Sequence, residues 1–130
     1  MVRVLYVDDS KILLDITRRF LEMNGEISVD TTSSLENAAT KIDSIPYDCI
    51  VTDYIMPAMK KFDLLKHVRE KGIQTPFIFF MLWKDYSYEL YAEQYRKVSF
   101  VPKNSTTRSP FWDLYHEVHR AGNSADNSGL

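Results

Sequence analysis

Pro76-Phe77-Ile78-Phe79-Phe80-Met81-Leu82 is the stretch that decides the fold. A strand built from this run is apolar on both faces, so it has to be covered from both sides, as strands of parallel sheets are. Working outward, the chain repeats the same unit. Val2 to Val7 is short, β-branched and stopped by Asp8-Asp9. Ser10 is an N-cap candidate for a helix whose apolar stripe is Ile12, Leu13, Ile16, Phe20 and Met23, ended by Asn24-Gly25. Ile27 to Thr31 reads as a second strand, and Ser33 with Glu36 resembles a capping box for a helix burying Leu35, Ala38, Ala39 and Ile42. Cys49-Ile50-Val51-Thr52 is a third strand, followed after Pro57 by a helix with Phe62, Leu65 and Val68 that Gly72 ends. Beyond the opening stretch, a helix is expected over Tyr86 to Tyr95, a fifth strand over Val98 to Pro102, and a last helix from the Ser109-Pro110 cap with Phe111, Leu114, Tyr115 and Val118 inward. Strands alternating with helices imply one α/β domain: a five-stranded parallel sheet, helices on both faces, right-handed crossovers. The domain is expected over residues 1–121, with the polar stretch 122–130 as a disordered tail.

Composition narrows the function classes. Hydrophobic residues make up 45% and aromatic residues 13%, enough for a packed core. Sixteen Lys and Arg against eighteen Asp and Glu give a net charge of −2 with no long basic run, which argues against nucleic acid as a direct partner. A single cysteine, Cys49, within an apolar run excludes a disulfide scaffold and reads as a buried small hydrophobe. No stretch approaches a membrane span and none resembles a signal peptide, so a cytoplasmic location is expected.

In parallel α/β sheets, function collects at the carboxyl ends of the strands. Three expected strands end there in charge: Asp8-Asp9 after the first, Asp53 after the third, Lys103 after the fifth. Two carboxylates about 5 Å apart repel by roughly 3 kcal/mol at an effective dielectric near 20, so the cluster requires positive compensation. Lys103 supplies one charge, and a hard divalent cation such as Mg2+ would supply more, since magnesium takes one or two carboxylates and keeps several waters. A carboxylate beside such a cation and a lysine suits phosphoryl transfer, with Asp53 as nucleophile and the adjacent Asp8 and Asp9 holding the metal. A single Asp after a buried strand is more often a loop or capping residue; three with a lysine at one edge carry more weight.

The motifs Val7-Asp8-Asp9-Ser10, Val51-Thr52-Asp53-Tyr54-Ile55-Met56-Pro57 and Phe100-Val101-Pro102-Lys103-Asn104 resemble, in order and spacing, those of the response-regulator receiver domains of two-component systems. The resemblance spans residues 2 to 120 and implies the flavodoxin-like doubly wound (βα)5 fold with strand order 2-1-3-4-5. It implies phosphorylation of Asp53 by a sensor histidine kinase. It further implies Mg2+ held by Asp9, Asp53 and the Ile55 carbonyl, with Asp8 acting through water, and Lys103 pairing with the phosphoryl group. Such a domain catalyses only its own phosphorylation and dephosphorylation, and with no output module following in this sequence its effect should travel by protein contact.

Five positions depart from the family pattern. Met81 stands where a Ser or Thr usually ends the fourth strand, and a thioether cannot donate a hydrogen bond to a phosphoryl oxygen. Phe100 occupies the switch-aromatic position without the hydroxyl of the common tyrosine. Lys60-Lys61 replaces an acidic-glycine pair, and Asn104 replaces the proline after the lysine. The two lysines are accordingly expected to order the loop around the phosphoryl group. The segment with Trp83, Tyr86, Tyr88, Tyr91 and Tyr95 is richer in aromatics than one buried helix face requires. Together with the family's use of the fourth helix, fifth strand and fifth helix, this predicts a surface for a downstream protein or a second copy. His67, His116 and His119 are expected on helix surfaces.

Alternatives remain open at the level of sequence. A pseudo-receiver, keeping the fold without phosphorylation, is suggested by Met81. A phosphatase of the haloacid dehalogenase type would want a second acid two residues after the nucleophile, where Ile55 stands. A flavodoxin-like carrier is disfavoured because the acidic loop after the first strand would repel a flavin phosphate.

Overall fold

A computed structural model describes residues 1–52, 63–81, 92–103 and 109–127, with the side chains of 124–127 left aside. Asp53, Ile55, Lys60 and Lys61 lie outside the described residues, as do Trp83, Tyr86, Tyr88 and Tyr91. The strands are β1 (Val2–Val7), β2 (Ile27–Thr32), β3 (Cys49–Thr52), β4 (Phe77–Met81) and β5 (Val98–Pro102). They form one parallel sheet in the order β2-β1-β3-β4-β5, as expected. The described helices are α1 (Lys11–Glu22), α2 (Leu35–Ser44), α3 (Asp63–Glu70) and α4 (Pro110–Asn127).

Alternation along each strand sends side chains to opposite faces, and each face has its own core. Leu14 and Leu21 of α1 and Leu114, Tyr115, Val118 and Ala121 of α4 cover Val4, Tyr6, Val51, Ile78 and Phe80. Ala38 and Ile42 of α2 and Leu64, Leu65 and Val68 of α3 cover Leu5, Val7, Ile50, Phe79 and Met81. The fourth strand, Phe77 to Met81, is buried at every residue, which explains why its sequence lacks polar alternation. Cys49 is fully buried in β3, and that burial pushes its thiol well above the usual range.

Three boundaries differ from expectation. The cap of α2 is Ser34, which accepts from the Asn37 N–H, and not Ser33. The reason is strand pairing: β2 continues to Thr32, opposite Val7, which carries the chain one residue further before it turns. Helix α4 runs to Asn127, past the end expected at Ala121. Its turn at Gly122 is buried against Val2, close enough that a Cβ there would meet Val2 Cγ1 at 2.7 Å, so the small residue lets the helix pass this strand end. The helix expected to reach Tyr95 gives way to a turn after Ala92, in which the Tyr95 N–H donates to the Ala92 carbonyl. The caps at Ser10 and Ser109 are as read: each side-chain oxygen accepts a backbone N–H, from Leu13 and Phe111 respectively. Gly25 closes α1 with a φ of 74°, a left-handed conformation that favours glycine. Among the described residues no helix is long and apolar enough to cross a membrane.

Candidate functional site

Register fixes which strand ends are neighbours. Val7 pairs with Thr52, so the residues immediately before Asp8 and Asp53 lie side by side in the centre of the sheet. Met81 pairs with Pro102, the residue before Lys103. The Lys103 N–H extends that ladder by donating to the Met81 carbonyl.

Asp8 is buried to 0% exposure, an expensive position for a carboxylate unless it is paired and hydrogen-bonded. Both requirements are met. Its Oδ2 accepts from the Tyr6 hydroxyl at 2.8 Å, and its Oδ1 accepts from the Ser10 N–H at 3.0 Å. Lys103 Nζ stands 3.9 Å from the same Oδ2, with its side chain only 10% exposed. The lysine stem is guided there by Phe80, whose ring centroid lies 5.1 Å from Nζ. Hydrogen bonds to a charged group contribute about 1.5–3 kcal/mol each, which offsets much of the cost of burying Asp8. Asp9, by contrast, is exposed beside it.

Two of the residues read from sequence, Asp8 and Lys103, are thus brought together, and Asp9 adjoins them. Among the described residues no three acidic, histidine or cysteine side chains gather into a metal-binding group; Asp53 and Ile55 lie outside them. The donor chemistry fits a hard divalent cation. Asp9 offers an open carboxylate, whereas both oxygens of Asp8 already have protein donors, which suits a contact through water better than direct ligation.

Met81 and Phe100, the two positions expected from sequence to act in a switch, face the other core. Met81 is fully buried in the cluster under α2 and α3. Phe100 is half-buried against the same cluster, its ring stacked on Phe79 with centroids 5.4 Å apart. On β5 and α4 the Glu117 carboxylate accepts from Arg120 Nε at 2.8 Å. Burial pushes the Glu117 carboxyl upward, but hydrogen bonds from Arg120 and Ser99, with the Arg120 charge, outweigh it and hold it below the usual range. His116 and His67 are exposed, as expected, but His119 is half-buried, with Nε2 3.2 Å from Glu26 Oε2. Tyr6 was not anticipated as a site residue. Its signal was available, since positions 6 and 8 of one strand share a face.

Comparison with known proteins agrees with this architecture. The chain is 29% identical over 114 residues to the response regulator SaeR of Staphylococcus epidermidis, a match that takes in 84% of this chain and 49% of that protein. SaeR of Staphylococcus aureus matches at 29% over 113 residues, 83% of this chain and 49% of the relative. The chain therefore spans about half the length of the curated relatives it matches. The receiver domain of the Francisella response regulator 1452 superposes with a TM-score of 0.78 at 23% identity, over 95% of this chain and 98% of the other. The chemotaxis response regulator CheY4 of Vibrio cholerae does so with a TM-score of 0.74 at 21% identity, over 91% and 98%. At these identities the superpositions establish the fold. Residues 4–109 match the response regulator receiver domain as a family, and with the sheet order and strand ends in agreement the chain belongs to that family, as the receiver of a two-component response regulator.

Proposed function

We propose that the domain is a phosphorylation-dependent switch that accepts a phosphoryl group on Asp53, with Mg2+, from a sensor histidine kinase. The observation that carries this reading is the pairing of buried Asp8 with Lys103 at the carboxyl ends of β1 and β5, next to the strand that leads into Asp53. In the transfer, an Asp53 carboxylate oxygen forms a bond to phosphorus as the bond to the donor's leaving nitrogen breaks. Lys103 would face the charge that then accumulates, and Asp9, Asp53 and the Ile55 carbonyl would hold the cation, with Asp8 acting through water. Bound Mg2+ supplies neutralisation of the phosphoryl oxygens and alignment for in-line attack. Lys60 and Lys61 would order their loop around the product, because Met81 has no hydroxyl to offer. Output would pass by protein contact, to a downstream partner or a second copy, through the surface that includes β5 and α4.

Incubation with acetyl phosphate and Mg2+, read by intact mass, tests this. One phosphoryl adduct that is lost in Asp53→Asn is expected. No adduct in the unsubstituted protein would favour the second reading, a pseudo-receiver acting without phosphorylation, to which the buried Met81 lends its support.

A further inference from the structure

We propose that Tyr6 is a positioning residue of the acidic pocket, whose hydroxyl holds Asp8 Oδ2 and so weakens the pull of that oxygen on Lys103. The inference rests on the reading of the site as a Mg2+ pocket and names a residue that the family's motifs do not contain. Tyr6 of β1 sits two residues before Asp8, which directly follows the strand, and both are fully buried. Its Oη donates to Asp8 Oδ2 at 2.8 Å, while the other carboxylate oxygen is held by the Ser10 N–H at 3.0 Å. The carboxylate is thereby fixed at both ends.

Lys103 presents its ammonium to the same Oδ2 at 3.9 Å. A direct ammonium–carboxylate hydrogen bond would be about 2.7–2.9 Å long, so the pair is near closure without having reached it. The oxygen on which it would close has room for a second donor, but the phenol it already accepts takes up part of its negative charge. Removing that hydroxyl takes a donor from a buried carboxylate, and the facing ammonium is placed to replace it. Asp8 would then be engaged in a closed ion pair at the moment a cation needs it, and Lys103 would be drawn away from the phosphoryl side. The phenol thus leaves Asp8 stabilised yet accessible to a second positive charge, which a lysine in the same role would oppose.

The experiment is a Mg2+ titration of the protein alone, followed by NMR at the Ser10 amide, for four proteins besides the unsubstituted one. These are Tyr6→Phe, Lys103→Met, Lys103→Arg and the pair Tyr6→Phe/Lys103→Met. Phenylalanine keeps the ring in the core, and dispersed spectra confirm folding before each titration. Tyr6→Phe should weaken Mg2+ binding by about fivefold while Lys103 is present, and by less than about twofold when Lys103 is Met, a coupling of the size seen for contacting residues. Lys103→Arg, which retains the charge, should keep binding closer to the unsubstituted protein than Lys103→Met departs from it. A ring that merely fills the core would give the same loss in both backgrounds, and that result overturns the proposal. So does unchanged or tighter binding in Tyr6→Phe. An unsubstituted protein that shows no Mg2+ response overturns the reading of the site itself, a different outcome from a response that Tyr6→Phe leaves intact.

Discussion

The two faces of the sheet are built from different materials. Under α1 and α4 the apolar core holds one buried polar tie, Tyr6 to Asp8, and is edged by two more, Tyr115 to Glu26 and Asn24 to Tyr115. Under α2 and α3 the buried cluster is aliphatic and aromatic, with Tyr47, whose hydroxyl donates outward to Asp30 Oδ2, at its edge and Tyr95 packed partly buried against it. The residues that handle charge, Asp8 and Lys103, lean on the first face through Tyr6 and Phe80, whereas Met81 and Phe100 belong to the second. The difference teaches that a strand end can keep its electrostatic half while its apolar half changes. Met81 is buried in the second face, and the ties of the first stand beside it.

The contrast can be broken most forcefully at Met81. Met81→Ala should destabilise the domain by about 2–5 kcal/mol, the usual cost of emptying a packed site, read from the urea unfolding midpoint. A smaller loss would mean that this face is less tightly packed than its burial indicates. Met81→Thr should cost about 1–3 kcal/mol, because it exchanges packing for a hydroxyl, yet leave Mg2+ affinity within about twofold. A larger change in affinity would show that the two faces are coupled at the pocket.

Acid should act on the first face. A carboxyl held below its usual range contributes stability that is present above its unfolded value and lost as pH falls through the folded one. Glu117 is such a group, so unfolding midpoints should drop as pH is lowered below about 4.3, and Glu117→Gln should make that drop shallower. An equally steep fall in the variant would place the acid sensitivity elsewhere. The smallest effect is expected on the rim of the second face, where Lys71 Nζ meets Asp43 Oδ2 at 2.6 Å. Both side chains are over a third exposed, and Lys71→Ala should change stability by less than about 1 kcal/mol in thermal unfolding.

Legibility followed the strength of local patterns. The run from Phe77 to Met81 could be read as a strand covered on both sides because nothing in it is polar, and the alternation around it implied the parallel sheet. Pairing of Asp8 with Lys103 was legible from strand ends alone. Two boundaries escaped because they depend on contacts between segments distant in sequence. Ser33 and Ser34 are equally good caps, and only the pairing of Thr32 with Val7 selects the second. The end of α4 looked too polar to pack because its partner, Val2, lies at the other end of the chain. Tyr6 looked like one more buried aromatic, since its importance lies in the reach of its hydroxyl and not in its hydrophobicity.

Cys49 makes a practical tool of its own concealment. Its thiol is sealed in the middle strand region and held in the protonated form, so a thiol-reactive dye should ignore the folded protein. Labelling would then count openings of the whole domain, giving every variant an internal stopwatch with no engineered probe.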